Sequence, residues 1–244
     1  MCRYYISLVA IGALALTACG PQGQSDEELA QALKDVNVID ESNLNDVMLT
    51  VADPDEAVSY FQRTLAVNPN RIDLARGLAV SLVRAGKATA AASAWSNVLE
   101  MEGATNDDRV EFADALIRSN QWERAETELD KIPPTHETFK RYRLEAMIAD
   151  SNKEWSKADS FYEIAVGLTT KPSGTLNNWG YSHLTRGNYS EAERLFGEAL
   201  TYDTTSFTAK NNLVLARAAQ RRYEMPVVPM TQIERAQLIH TAAL

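Results

Sequence analysis

The chain has 244 residues, of which 45% are hydrophobic and 23% are charged, a composition typical of a folded globular protein. Its 24 Lys and Arg residues against 33 Asp and Glu residues give a net charge of −9, which argues against an extended nucleic-acid-binding surface or a patch for anionic lipids. With three His and two Cys, the sequence offers few ligands for a zinc site. We therefore expect binding rather than catalysis, and no metal or cofactor.

Residues 1–18 have the features of a cleaved secretory signal peptide. Arg3 is followed by an uncharged stretch from Ile6 to Leu16 and then by small residues. This apolar stretch is shorter than the roughly 20 residues that a membrane-spanning helix needs. A short membrane anchor is the alternative interpretation.

The segment Leu16-Thr17-Ala18-Cys19 resembles the lipobox of bacterial lipoproteins. The resemblance implies cleavage between Ala18 and Cys19 and acylation of Cys19, which would hold the chain on a membrane through more than one acyl chain. Because Gly20 rather than Asp follows the cysteine, the resemblance favours the outer membrane, with the chain facing the periplasm.

Two short segments separate this anchor from the rest of the chain. Residues 19–24, the acylated cysteine and a Gly/Pro/Gln stretch, are predicted as a flexible tether. Ser25 and Glu28 then form a capping-box pattern, which predicts an N-terminal helix over 25–37.

A pattern of small and large residues recurs along the remaining chain. Its small member is an alanine that returns at intervals of 34, 34, 33 and 34 residues: Ala57, Ala91, Ala125, Ala158 and Ala192. Four residues after each alanine comes a large side chain, and three residues later a smaller or aliphatic one. This spacing is one face of an α-helix, and a second amphipathic stretch precedes each alanine. The pattern predicts five helix–turn–helix units.

The copy from Ser173 to Ser206 closely resembles the tetratricopeptide repeat (TPR). The other copies cover 38–71, 72–105, 106–138 and 139–172, and the first helix of a sixth covers 207–223. The resemblance implies an all-α solenoid, a right-handed superhelix of antiparallel helix pairs, with about five and a half repeats over 38–223.

The last segment, 224–244, is predicted as a break followed by a helix. Pro226 and Pro229 preclude a regular helix at the break. Thr231 then caps a helix whose apolar face is expected to contain Ile233 and Ile239, together with Ala236 and Leu244. This helix is either a solvating cap or the start of a further pair.

No constellation of catalytic residues is present. Gly86-Lys87 lacks the earlier Gly and the following Ser or Thr of a phosphate-binding loop. His136, His183 and His240 are spread across the chain, so a shared site is not expected. We therefore expect no enzymatic activity; an enzyme or small-ligand carrier remains the third class of function.

The concave surface of a TPR solenoid is formed by the first helix of each pair and usually holds an extended peptide or a partner helix. Carried over residue by residue, the resemblance assigns this groove to side chains spaced by 34 residues: Arg143, Met147, Asn177, Asn178, Tyr181, Asn211, Asn212 and Leu215. The asparagines could bond a bound peptide backbone or, equally, the neighbouring helices. Exposed aromatic residues such as Tyr181 and Tyr202 leave the same two interpretations open.

The four tryptophans fall into two sets. Trp95 and Trp179 occupy packing positions of the repeat, whereas Trp122 and Trp155 share one turn position with Tyr189. We expect all four tryptophans to belong to the core.

A more specific resemblance covers about residues 173–240. The runs 176–182, 192–196 and 207–216 and the break 225–231 resemble the TadD family, the TPR lipoproteins of the tight-adherence (Flp/Tad) pilus machine. The resemblance implies a role in assembling the outer-membrane part of that machine, with the secretin or other pilus-assembly components as partners.

The sequence thus predicts a non-enzymatic, lipid-anchored scaffold that faces the periplasm and binds proteins. The alternative is an envelope adaptor that binds murein hydrolases or the outer-membrane β-barrel insertion machinery. Both functions share the anchor and the groove, so only the identity of the partner separates them.

Overall fold

The computed structural model describes residues 44–243, and all regular secondary structure in this range is α-helical. The predicted signal peptide, Cys19, the tether, the helix over 25–37 and the start of the first repeat lie outside the described residues, as does Leu244. Residues 44–50 form helix α1, and the helices that follow it are α2 (Pro54–Val67), α3 (Ile72–Arg84), α4 (Ala88–Leu99), α5 (Asn106–Arg118), α6 (Trp122–Leu129), α7 (Phe139–Ser151), α8 (Trp155–Gly167), α9 (Ser173–Thr185), α10 (Tyr189–Tyr202), α11 (Phe207–Ala219) and α12 (Gln232–Ala242). None of α2 to α12 is long and apolar enough to span a bilayer.

The helices stack in chain order as a solenoid of pairs. Each helix from α2 to α11 packs mainly against its neighbours in the chain, and α5, α7, α9 and α11 also contact one another along one side. We call this side, formed by the first helices of the pairs, the inner surface. The all-α TPR solenoid predicted from the sequence is confirmed.

The recurring residues of the sequence pattern form the core. All five alanines, from Ala57 to Ala192, are fully buried, and so are the large side chains that follow them four residues later. Glycine allows the closest approach: a Cβ atom at Gly77 would lie 2.4 Å from Cε1 of Phe61, and one at Gly180 would lie 2.8 Å from Cε1 of Phe196. The spacing of small and large residues therefore sets how closely the helices pack.

The turn inside each pair has the same backbone geometry. One residue per turn has a positive φ, at intervals of 34, 33, 34 and 34 residues: Gly86, Asn120, Lys153, Gly187 and Arg221. The next N–H donates to the carbonyl five residues earlier, as from Lys87 to Leu82 at 2.9 Å, which is the hydrogen bond of a Schellman motif. The turn, like the helices, is repeated.

The third repeat departs from the others in its second helix. The i, i+4, i+7 spacing predicts that Ile132 lies on this helix. However, α6 ends at Leu129, and Ile132 is buried in the turn that follows. Pro133 and Pro134 account for the difference, because proline breaks a helix and disfavours helical backbone in the residue before it. The early end of α6 leaves a second cleft of about 310 Å³ between α6, α7 and α8.

The sixth repeat keeps its first helix and its turn but not its second helix. After Arg221 the chain runs without helix through 222–231, and α12 then packs back on α11. A buried lysine holds it: Lys210 of α11, 1% exposed, donates to the carbonyl of Pro229 at 2.8 Å and to Glu234 at 3.1 Å.

The face of α12 that packs on α11 differs from the predicted one. Leu238 is fully buried, whereas Ile233 and Ile239 are 73% and 52% exposed. Glu234 and Leu238 are four residues apart and therefore share one face of the helix. Because Lys210 requires Glu234 as a partner, this face turns inward and the two isoleucines turn outward.

Candidate functional site

A cleft of about 580 Å³ opens on the inner surface where α7, α9 and α11 lie side by side. Its volume is in the range of ligand-binding clefts, and we call it the inner cleft. The residues that line it belong to α6, α7, α8, α9 and α11: Trp122, Met147, Asp150, Ser151, Trp155, Tyr162, Asn177, Asn178, Tyr181, Ser182, Thr185, Thr208 and Asn212.

The inner cleft crosses the helices obliquely. It touches α7 near its C-terminal end at Asp150, α9 from Asn177 to its C-terminal end, and α11 near its N-terminal end at Thr208. A molecule that follows this course contacts three successive repeats. The shape therefore suits an extended segment.

Five of the eight groove residues assigned by resemblance line the inner cleft: Met147, Asn177, Asn178, Tyr181 and Asn212. The other three, Arg143, Asn211 and Leu215, do not line it.

Two of the three residues outside the cleft have partners elsewhere. The Arg143 guanidinium lies 5.5 Å from the ring centre of Phe139 on its own helix. The amide oxygen of Asn211 accepts a hydrogen bond from the Thr241 hydroxyl of α12 at 2.8 Å. For Asn211 the reason is topological, because α12 packs over this part of α11.

The asparagines of the cleft bond partly to each other. Nδ2 of Asn212 donates to Oδ1 of Asn177 at 3.0 Å, which joins α11 to α9, and Nδ2 of Asn178 lies 3.8 Å from the sulfur of Met147. One donor–acceptor pair of the amides is thus used between helices. Nδ2 of Asn177 and Oδ1 of Asn212 have no hydrogen-bond partner within residues 44–243 and can bond a ligand.

The cleft contains the carboxylate of Asp150. Among the described residues, only hydroxyl groups donate hydrogen bonds to it. Ser182 donates to Oδ1 of Asp150 at 2.6 Å, and the Tyr162 hydroxyl donates to Oδ2 at 3.0 Å. Burial raises the pKa of Asp150, although both hydrogen bonds favour the ionised form. Burial, together with the nearby Asp150 charge, also raises the pKa of Tyr162, so the phenol remains a donor. Within residues 44–243, no Lys, Arg or His forms an ion pair with Asp150.

Aromatic side chains line the same cleft as this carboxylate. Trp122 and Trp155 are the first residues of α6 and α8, and with Tyr162 and Tyr181 they line the cleft. The Arg186 guanidinium lies 5.5 Å from the ring centre of Trp155. Of the four tryptophans predicted to belong to the core, Trp95 is buried in it and Trp122 and Trp179 are half-buried and pack against it, whereas Trp155 is half-buried and packs against none of the core clusters of the described residues.

A polar cluster beside the cleft joins α8 to α9. Trp179 donates through Nε1 to Asp159 at 2.7 Å, and Arg186 forms an ion pair with the same carboxylate. Although burial opposes it, these hydrogen bonds lower the pKa of Asp159. Burial and the Arg186 charge lower the pKa of His183, so its neutral ring accepts from Arg186. The cluster is internally paired except for the buried Nε of Arg186, which has no hydrogen-bond partner among the described residues.

Sequence reasoning missed Asp150, although a signal for it exists. It is the twelfth residue of α7, and the same position of the other first helices holds an apolar residue: Val83, Ile117, Leu184 and Ala218. A single carboxylate in an otherwise apolar column requires an explanation, because burial of an unpaired charge is costly. No group of three or more His, Cys, Asp or Glu residues in the described part of the chain could hold a metal ion.

Comparison with known proteins supports the repeat assignment. A tetratricopeptide repeat family model matches residues 49–107 and 177–224. No curated protein matches the chain in sequence.

Among solved structures, the chain is similar to TTC0263, a thermophilic TPR protein of Thermus thermophilus, with a TM-score of 0.61 and 15% identity over 71% of this chain and 95% of that one. It is also similar to MamA from Desulfovibrio magneticus RS-1, with a TM-score of 0.55 and 16% identity over 68% of this chain and 94% of that one.

A third similar structure is a chain of the APC/C hetero-tetramer Cut9–Hcn1, with a TM-score of 0.64 and 16% identity over 78% of this chain. The chain spans 39% of the length of that protein. Identities this low show a shared fold and no more. The chain thus has the fold of tetratricopeptide repeat proteins, and the family model matches two of its segments.

Proposed function

We propose that this chain is a non-enzymatic scaffold that captures an extended segment of a partner protein in the inner cleft. The observation that carries the proposal is the open cleft across three repeats, with aromatic, amide and hydroxyl side chains along its length. Apolar surface with a few placed polar groups is the usual lining of a recognition site. Tyr181 is 53% exposed and lines the cleft, so it is available for contact.

The scaffold is proposed to act on the periplasmic side of the outer membrane. The support is the segment from Leu16 to Cys19 with its lipobox pattern, and Gly20 after it. Acylation of Cys19 and the tether over 19–24 would hold the solenoid close to the membrane and leave the inner cleft accessible.

The proposed partner is a component of the Flp/Tad pilus machine, the secretin or another assembly protein. The support is the resemblance of 176–182 and 207–216 to the TadD family. These two runs supply six residues of the inner cleft: Asn177, Asn178, Tyr181, Ser182, Thr208 and Asn212. The part of the chain with the specific resemblance is therefore the part that would contact the partner.

The experiment is a mild-detergent pull-down of the full-length tagged chain from its native cells, read by mass spectrometry. Wild type is compared with Tyr181→Ala and with Tyr202→Ala. Tyr202 is 55% exposed and does not line the inner cleft, which makes it a matched control. We expect secretin and pilus-assembly proteins with wild type and Tyr202→Ala, and several-fold less of them with Tyr181→Ala. Cys19→Ala should move the chain from the membrane fraction to the soluble fraction.

Three results would contradict parts of the proposal. Murein hydrolases or β-barrel insertion proteins in place of the secretin would overturn the pilus assignment. Equal recovery of the partner by both tyrosine variants would place the contact outside the inner cleft. Persistence of Cys19→Ala in the membrane fraction would remove the lipid anchor.

A further inference from the structure

The residues that line the inner cleft carry negative charge and no positive charge. Among them Asp150 alone is ionisable near neutral pH, and no Lys, Arg or His is present. We propose that the inner cleft receives a Lys or Arg side chain of the captured segment, with the cation placed beside the Asp150 carboxylate and its stem along the aromatic and apolar lining. This inference rests on the proposed function, because it names the chemistry of the segment that the scaffold captures.

The carboxylate is held in place and is not saturated. Its two oxygens each accept one hydrogen bond, from Ser182 and from Tyr162, whereas a carboxylate can accept about four. Tyr162 is itself anchored in the core, where its ring stacks on Trp179 with 6.1 Å between the ring centres. Asp150 is therefore positioned by buried groups and keeps acceptor capacity for a cation.

The rest of the cleft fits the other parts of a long basic side chain. Lys and Arg bury their aliphatic stems against apolar surface, which Met147 and Tyr181 supply here. Their charged ends are attracted to aromatic faces, most strongly to Trp, and Trp122 lines the same cleft, whereas the Trp155 ring already has the Arg186 guanidinium 5.5 Å from its centre. A basic side chain can thus use the carboxylate, the apolar lining and the rings together.

The same features select against other segments. A neutral side chain over Asp150 would remove water from the carboxylate and give it no compensating charge, which costs free energy. An acidic side chain would add repulsion between like charges. The net charge of −9 of the whole chain favours the approach of a basic partner in the same direction.

The test selects random dodecapeptides displayed on phage against the full chain purified in mild detergent. Wild type is compared with Asp150→Asn and with Asp46→Asn, which removes an exposed carboxylate of α1 outside the cleft and so controls for net charge. We expect wild type and Asp46→Asn to enrich peptides with a Lys or Arg at one shared position. Asp150→Asn should lose this preference.

Affinity then measures the contact. For a representative selected peptide, we expect Asp150→Asn to weaken binding roughly tenfold, and replacement of the peptide's basic residue by norleucine to weaken binding to wild type by a similar factor. The norleucine peptide changes nothing in the protein, so this measurement stands even if Asp150→Asn folds poorly. Tyr181→Ala should weaken binding several-fold and Tyr202→Ala should not.

The possible failures are distinct. Enriched peptides without a basic residue, or equal affinity of wild type and Asp150→Asn for a basic peptide, would overturn this inference and leave peptide capture standing. A basic motif combined with recovery of murein hydrolases from cells would support the inference and overturn the pilus assignment. No enrichment by wild type would contradict both proposals.

Discussion

The inner surface of the solenoid uses its charges differently in its two halves. In the N-terminal half, Arg76 of α3 forms a two-point ion pair with Asp108 of α5, with both N–O distances at 2.7 Å. Lys140 of α7 reaches back to Asp114 of α5 at 3.0 Å. In the C-terminal half, Asp150 accepts hydrogen bonds from hydroxyl groups alone.

This difference separates two uses of polar residues in one repeated fold. The ion pairs Arg76–Asp108 and Lys140–Asp114 join neighbouring repeats and neutralise these carboxylates. Asp150 joins α7 to α9 through Ser182 and forms no ion pair with a described residue, although the nearby Arg186 charge favours its ionised form. The pKa of Asp108 is lowered and that of Asp150 is raised, so the same residue type stabilises the fold at one site and burdens it at the other.

The sharpest test of this contrast makes one substitution at both carboxylates. Asp108→Asn should lower the free energy of unfolding by about 2–3 kcal/mol, because the amide cannot accept both Arg76 bonds or replace the carboxylate in the capping box with Thr105. Asp150→Asn should change it by no more than about 1 kcal/mol, since the amide relieves a buried charge and still accepts a hydrogen bond. Urea unfolding at neutral pH, followed by circular dichroism, measures both changes.

The difference in unfolding free energy between wild type and variant should change with pH in opposite directions for Asp108→Asn and Asp150→Asn. Although burial opposes it, hydrogen bonds from Arg76 and Thr105 lower the pKa of Asp108, so its contribution is complete above the ordinary value of 3.8 and is lost as the pH falls through the lowered one. Burial raises the pKa of Asp150, so wild type gains stability as the pH falls through the raised value toward 3.8. As the pH falls from neutral, the free energy of unfolding of wild type should therefore rise relative to that of Asp150→Asn. Equal losses of stability for the two variants at neutral pH would contradict the contrast.

A second test concerns the helix pair whose first helix, α9, supplies much of the inner cleft. Gly180→Ala should lower the free energy of unfolding by about 1–3 kcal/mol, because the new Cβ would lie 2.8 Å from the Phe196 ring between α9 and α10. Gly197→Ala is the matched control: it lies inside α10, its Cβ would meet no atom within 4 Å, and it should raise stability by up to about 1 kcal/mol. Thermal unfolding of both variants is the measurement. A stable Gly180→Ala variant would show that α9 can move away from α10.

The repeat made much of the fold predictable. Five copies of one spacing identify the buried face, and Ile72, Asn106, Phe139, Ser173 and Phe207, at which the predicted repeats begin, are the first residues of helices. The errors lie where a local feature has no copy. Proline ends α6 early, and the pairing of Lys210 with Glu234 rotates α12 away from its apparent apolar face. Averaging over repeats cannot detect features that occur once.

The inner cleft was predictable only in part for the same reason. Family register identified Met147, Asn177, Asn178, Tyr181 and Asn212, which occupy corresponding positions in successive repeats. It could not find Trp122 and Trp155, because they reach the cleft from the second helices, nor anticipate that α12 covers Asn211. The positions of these tryptophans and of α12 depend on contacts between helices, which the register of a single repeat does not contain.

The smallest expected effect concerns the repeated turn, where successive repeats should obey the same backbone rule. Lys153 and Gly187 occupy equivalent turn positions with φ of 60° and 83°, a conformation that strains side chains other than glycine. Lys153→Gly should raise the free energy of unfolding by about 0.5–1 kcal/mol, and Gly187→Ala should lower it by a similar amount. Lys153 is exposed, so the change removes no buried contact. Thermal unfolding of the two variants and the double variant measures whether the effects add; changes of the same sign would mean that something other than backbone geometry sets stability at these turns.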